Sequence, residues 1–381
     1  MKKHLYLDIH AIQTVPPSCV NRDDTGSPKT AVYGGVERAR VSSQAWKHAM
    51  RKYFKEIFSP EELGSRTKLL VKLIADQIMT DHPDEEHDTA LLMARKALQL
   101  AGIPNKDDET EALFFVGREQ IAAVAKKIYD DCKNNVVSLT ESSDSKSNDT
   151  GKKKADKKKM KSDPAYLKAF MDTPSVEIVL FGRMVASQTQ LNVDAVAQVA
   201  HAISTHAVHT EYDYFTAMDD EKDQSPAAFL QAAEFNSATM YRFATVNLGA
   251  LEDYSTIDTA KAIRNFVEAF VRSMPTGKQN TFANRTLPDM VYITLREDQP
   301  VNFSGAFESP VKNDRGGYAA RSCEVLMEYA EKMYGSFADA PVFALGCGDQ
   351  ALEGHAEALS LKAMLERLES IVADQCGKAE E

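Results

Sequence analysis

The chain has 381 residues, is 43% hydrophobic and carries a formal net charge of −11, which gives room for one elaborated domain or two ordinary ones around a real core. An acidic balance excludes nucleic-acid binding through the overall field, so any such site has to come from local clustering of basic residues. The 5 cysteines are dispersed and show no C-x-x-C spacing, and no apolar run approaches membrane-spanning length, so a reduced, cytoplasmic chain without disulfide framework, structural zinc or membrane contact is expected.

Leu5, Leu7 and Ile9 alternate with Tyr6, Asp8 and His10, a period of two that opens the chain with a strand. From Pro16 to Thr30 the composition turns to Pro, Ser, Asn, Asp and Gly, which predicts a long surface loop containing Asn21-Arg22-Asp23-Asp24. The segment from Tyr33 to Lys52 then concentrates positive charge. Arg38 and Arg40 alternate with Ala39 and Val41, so a strand here projects both guanidiniums to one side. A helix follows: at about 100° per residue, Ala45, Trp46, Ala49, Met50, Tyr53, Phe54 and Ile57 share one arc, and Gln44, Lys47, His48, Arg51, Lys52 and Lys55 share the other. Ser42 or Ser43 is placed to cap its first turn. One face can pack while the other meets solvent or phosphate; an ordinary solvated helix gives the same pattern.

Residues 60–79, 84–101 and 108–133 carry helical patterns, which predicts an all-helical insertion. Residues 138–163 lack the apolar side chains needed to offset ordering entropy and read as a disordered Lys-rich linker, either solvating or a nucleic-acid arm. Val176–Phe181 reads as a strand leading into Gly182-Arg183-Met184, and a helix is expected from about Val193 to His206. A polar, aromatic stretch leads to Thr239–Leu248, whose alternation predicts a half-buried strand. A helix containing Ile263, Phe266, Val267 and Phe270 and a strand over Met290–Leu295 follow. The order matches an α+β, ferredoxin-like β-α-β-β-α-β domain with enlarged loops, a sheet shared with RNA-recognition domains. A tail helix is expected over Leu352–Val372.

Several motifs are more specific: Pro17-Ser-Cys-Val-Asn-Arg-Asp-Asp24, Gly34-Gly35, Arg38-Ala-Arg40-Val-Ser-Ser-Gln44, Lys47-His-Ala-Met-Arg51-Lys52, Gly182-Arg183-Met184, Ala200-His201-Ala-Ile-Ser-Thr-His206 and Asp213-Tyr-Phe215-Thr216-Ala with Asp219-Asp220. With these, the chain from about residue 4 to 295 resembles the CasC family, the backbone subunit of the type I-E CRISPR Cascade complex. The resemblance implies an RRM-like palm (1–59, 171–206 and 236–310), helical fingers (60–170) and a thumb (207–235); beyond 310, where it weakens, the pattern of the tail predicts a C-terminal helical extension of the palm (311–381). It implies several copies assembled head to tail along one crRNA, beside other Cascade subunits, with target DNA reached through the guide. Arg22, Arg38, Arg40, Lys47 and Arg51 would contact crRNA phosphates, with Ser42 and Gln44 adding polar contacts. Arg183 and Met184 would sit at a kink, and Phe215 with Thr216 would wedge against bases. Lys278 and Gln279 open a later family motif and join the RNA-binding set, although Asn280 stands where a basic residue is expected.

A metal-independent endoribonuclease of the same superfamily is the alternative, with His201, His206 and His209 as its candidates. Their spacings of five and three do not fit zinc on one helical face, and no acid or lysine partner is evident. Gly34-Gly35 and Gly316-Gly317 lack the Gly-Lys-Ser/Thr of a phosphate-binding loop. No catalytic residue, metal or cofactor is expected.

Overall fold

The computed structural model describes residues 4–139, 162–217, 229–313 and 316–377. Most of the expected Lys-rich linker, at 140–161, and Asp219 and Asp220 lie outside them. Strand β1 (Tyr6–Ser18) is followed by the hairpin of β2 (Thr30–Tyr33) and β3 (Val36–Val41) and by helix α1 (Ser43–Ile57). The hairpin turns at Gly34 and Gly35, both at positive φ (59° and 76°), the geometry of tight hairpin turns that favours glycine. A Cβ on Gly34 would also meet the Glu308 carbonyl oxygen at 1.6 Å. Ser42 supplies the cap to α1, its Oγ accepting from the Ala45 amide at 3.3 Å.

Residues Phe58–Ala195 form one of two compact units. Its helices are α2 (Leu70–Asp81), α3 (His87–Leu100), α4 (Arg118–Lys133), α5 (Pro164–Met171) and α6 (Val176–Phe181). The insertion is not all-helical as expected. Strand β4 (Gly64–Thr67) and a second strand, Phe114–Gly117, pair antiparallel, and a small ribbon pairs Asn105–Lys106 with Glu109–Thr110. These pairings take residues at the starts of the first and third expected helices. Val176–Phe181 is the helix α6 rather than a strand; six residues, five of them apolar, carry no period that separates the two. Leu70, Ile74, Ala94, Leu98, Val124, Ile128 and Phe170 belong to one core cluster, the i, i+4 residues of packed amphipathic helices.

The other unit joins Met1–Ile57 to Val196–Glu381. With the four insertion strands numbered β4 to β7 in chain order, it adds β8 (Ala197–Val199), β9 (Ala202–Ser204), β10 (Glu211–Ala217) and β11 (Phe229–Asn247). The short helix α7 (Leu248–Leu251), then α8 (Thr259–Arg272), the single turn α9 (Gln279–Phe282), β12 (Met290–Arg296) and α10 (Ala319–Tyr334) follow. Strands β13 (Phe343–Gly348) and β14 (Glu357–Ala358) and helix α11 (Leu361–Gly377) close the unit. The helix expected over Val193–His206 is absent: both short strands there pair with β11, so sheet pairing overrides the alanine-rich helical pattern. The tail helix starts at Leu361, after a 3₁₀ turn at Gln350–Leu352.

The sheet runs β14-β13-β12-β1-β11-β9-β3-β2, with β8 and β10 also paired to β11. Strand β1 lies antiparallel between β11 and β12. On one face, the Arg242 guanidinium stacks 3.7 Å from the Trp46 ring and 4.3 Å from that of Phe270, tying α1 and α8 to the sheet. The other face is also covered: Ile12, Tyr241, Tyr292, Phe303, Phe307 and Leu326 share a core cluster. The strand Thr239–Leu248 is therefore buried on both faces rather than half-buried. His10 is sealed inside, stacked on Phe303 at 4.4 Å, and burial pushes its pKa down to about 3.

Asp8 sits in the same row, opposite Thr245 and Thr294. Its Oδ2 accepts from the Val301 amide at 2.8 Å, while Oδ1 has no hydrogen-bond partner. Burial outweighs the opposing hydrogen bonding and the Arg296 charge and raises its pKa to about 6. A folded-state pKa above the unfolded value favours the protonated native form, so stability is full below the unfolded pKa and falls as pH rises towards 6. Asp8→Asn keeps the acceptor for Val301 and removes the charge. It is expected to flatten the stability profile between pH 4 and 7 and to gain at most about 3 kcal/mol at pH 8, measured by urea unfolding across pH.

Candidate nucleic-acid interface

The loop between β1 and β2 is fastened to the start of α1. Asn21 Oδ1 accepts from the Ser42 amide at 2.9 Å, the Lys29 amide donates to Asn21 O at 2.8 Å, and the Arg40 amide donates to Lys29 O at 2.9 Å. Arg22 and Pro28 form an isolated bridge within the loop. The segment after α8 lies against its base: a Cβ on Gly277 would meet the Val20 carbonyl oxygen at 2.1 Å, so only glycine fits there. Next to it, Lys278 and Arg22 both act on the buried Cys19 thiol, whose pKa burial raises and these cations pull back.

Arg22, Arg40, Lys278 and Gln279 are thereby brought beside the basic arc of α1, which carries Gln44, Lys47 and Arg51, whereas Ser42 is buried as the cap of that helix. Two histidines report the local potential. His48 is held below the usual imidazole range by burial and then by Lys52, Arg51 and Lys55. His201 is held down by burial and then by Arg40 and Lys29; Arg40 Nη1 donates to its Nδ1 at 3.3 Å. Beside Arg40 is a cleft lined by Asn21, Lys29 and Asn236, and Asn236 Nδ2 is buried without an acceptor. Cations thus accumulate here in a chain of net charge −11, the local segregation that phosphate binding requires.

Two expected contacts point elsewhere in the isolated chain. Arg38 is fully buried, and its guanidinium donates to Ser204 O at 3.0 Å, Phe307 O at 2.9 Å and Tyr33 O at 3.2 Å. Arg183, in the Phe58–Ala195 unit, is likewise buried and donates to Leu191 O (2.8 Å), Phe170 O (3.0 Å) and Phe115 O (3.2 Å). Both are struts that satisfy main-chain carbonyls. Its neighbour Met184 is 85% exposed, following Gly182 at positive φ.

Strands β10 and β11 form a hairpin in which Phe215 pairs with Gln231 and Thr216 with Leu230. Phe215 is 42% exposed, and Tyr212 and Tyr214 are 58% and 69% exposed. The tyrosines, two residues apart, share the strand face opposite Phe215. Sequence reasoning did not single them out, nor Lys29; an isolated lysine in a polar loop carries no pattern, whereas adjacent aromatics in a stretch without a core period were a usable signal.

The histidine candidates do not assemble. His206 Nε2 accepts from the Thr239 amide at 3.1 Å, its Nδ1 lies 2.8 Å from Ala207 O, and its ring stacks on Tyr318 at 3.6 Å. Both nitrogens are occupied, which leaves neither for proton transfer. Among the described residues no group of three or more His, Cys, Asp or Glu could hold a metal ion, and no helix is long and apolar enough to cross a membrane.

A family model described as CT1975-like protein matches residues 7–372. The fold is similar to that of a chain in a solved "CRISPR RNA-guided surveillance complex, pre-nicking", with TM-score 0.74 and 30% identity over 97% of this chain and 99% of that one. A chain of a second "CRISPR RNA-guided surveillance complex" aligns with TM-score 0.69 and 27% identity over 96% and 99%. No curated protein sequence matches.

Proposed function

The chain belongs to the CT1975-like family, the non-catalytic backbone subunits of type I-E CRISPR RNA-guided surveillance complexes, and from that membership we propose how it holds its guide. The unit built on β1, β11 and β12 is a ferredoxin-like palm, the Phe58–Ala195 unit is the fingers, and the β10–β11 hairpin is the thumb. Copies assemble head to tail along one crRNA in the cytoplasm, next to other Cascade subunits. Arg22, Arg40, Lys47, Arg51 and Lys278 take phosphates, while Gln44 and Gln279 add polar contacts. Arg38 acts as a positioning strut behind that surface, and Arg183 as a strut within the fingers. Phe215 with Thr216 wedges against bases at the thumb, Met184 sits at the kink of the guide, and the guide segments between successive thumbs remain open to pair with target DNA. Recognition of backbone leaves the sequence code to the guide.

The observation that carries this reading is the ledge of cations around Arg40, α1 and Lys278, dense enough to help depress two histidines in an acidic protein. Its test is the salt dependence of single-stranded RNA binding by the whole chain. Each neutralised phosphate contributes about 0.7 to the log–log slope, so Arg40→Ala is expected to reduce the slope by about that amount for RNAs of unrelated sequence; an unchanged slope would remove Arg40 from the grip.

The histidines add a pH dependence. In the free protein their pKa values are depressed, and a nearby phosphate favours the imidazolium, so binding takes up protons. Affinity is expected to rise as pH falls from 8 to 6. His48→Gln with His201→Gln should flatten that rise, read by fluorescence anisotropy at fixed salt.

A further inference from the structure

Beside α1 a second feature opens, a cavity of about 250 Å³ between that helix and the segment following α8. Ala45, Ala49, Met274 and Pro275 line its apolar part, Lys52 and Arg285 line it with positive charge against the single carboxylate of Glu56, and His48 adds an imidazole held towards its neutral form. Ser273, which also lines it, is only 4% exposed, and its hydroxyl has no hydrogen-bond partner. A buried hydroxyl left without a partner costs free energy that a polar ligand atom would recover. Gln279 supplies an amide from the same wall.

We propose that this cavity receives one unpaired nucleobase of the bound RNA, an inference that rests on the guide-RNA reading above. The volume suits a single base rather than a dinucleotide or a folded peptide element. Apolar walls match the faces of a base, and a hydroxyl with an amide matches its polar edge. Continuity with the phosphate ledge selects the occupant: His48 and Lys52 lie on the basic arc of α1 and on the wall of the cavity at once. A strand following the arc therefore keeps its phosphates on these cations while one base turns inward. Ser273 and Gln279 hydrogen-bond the base edge, and Arg285, which also donates to Arg272 O at 3.3 Å, closes the phosphate side.

The test uses single-stranded RNA carrying 4-thiouridine, irradiated on the full chain, with adducts mapped by mass spectrometry. Adducts are expected on Tyr53, which also lines the cavity, or on Met274. Two obstructing variants are compared: Ala45→Leu fills the interior, and Thr276→Phe, at an exposed position, blocks the mouth without burdening the fold. In both, pocket adducts should fall about tenfold while RNA retention on a filter changes less than about threefold. Adducts confined to the outer arc and thumb, pocket adducts that persist in both variants, or pocket peptides joined to a second copy instead of RNA would each overturn the proposal. Failure of the unsubstituted chain to bind RNA would instead overturn the reading on which the pocket rests.

Discussion

Lys47→Glu combined with Arg51→Glu is expected to lower affinity for single-stranded RNA by about a hundredfold or more at physiological salt. The two residues are one helical turn apart on the outer arc of α1, so the double change replaces two positive charges by two negative ones where the proposed grip takes phosphates. It also lowers the potential that His48 feels from Arg51. The fold should tolerate the change, because the packing arc of α1 is carried by Trp46, Ala49, Met50 and Phe54, all buried. Circular dichroism and thermal unfolding should therefore stay close to the parent while binding disappears. A parent-like affinity would place the RNA on another surface.

Arg38→Ala is expected to act on stability instead. Its removal leaves the Ser204, Phe307 and Tyr33 carbonyls without their donor, and each buried group left unpaired costs about 1–3 kcal/mol. A loss of roughly 3–5 kcal/mol follows, large against the usual stability of a domain. Arg40→Ala makes the control, since Arg40 is half-buried and bonds to Thr30 O and His201. It should leave the unfolding midpoint nearly unchanged and weaken RNA binding. Denaturant unfolding of both variants, followed by binding measured on the folded fraction, separates strut from contact. If Arg38→Ala unfolds normally and loses RNA, the two arginines act alike.

That pair shows what the sequence could and could not reveal. Alternation correctly placed Arg38 and Arg40 on a strand before a capped helix, but alternation is local. Burial of Arg38 depends on Phe307, far along the chain, and on β9, where the pattern predicts helix. The same limit explains Asp8 and His10. Alternation along β1 predicts a strand but not what covers its polar row, and Phe303, Phe307 and α10 cover that face with a second core layer. In the insertion, the helical periods were legible because an amphipathic stripe is a sequence property. Short pairings such as Gly64–Thr67 with Phe114–Gly117 are not, since each strand is too brief to show a period and exists only through its partner. The ledge itself was half legible: the basic arc of α1 stood out, while Lys29, His201 and Arg285 join it only through tertiary contacts.

The most direct measurement is of the nucleic acid that accompanies the chain when it is purified without nuclease. RNA of heterogeneous sequence, protected in an oligomer, released by high salt and absent from the Lys47→Glu, Arg51→Glu variant is the expected result. A nucleic-acid-free monomer that ignores single-stranded RNA at low salt would contradict the phosphate grip and reduce the basic arc to a solvated helix face.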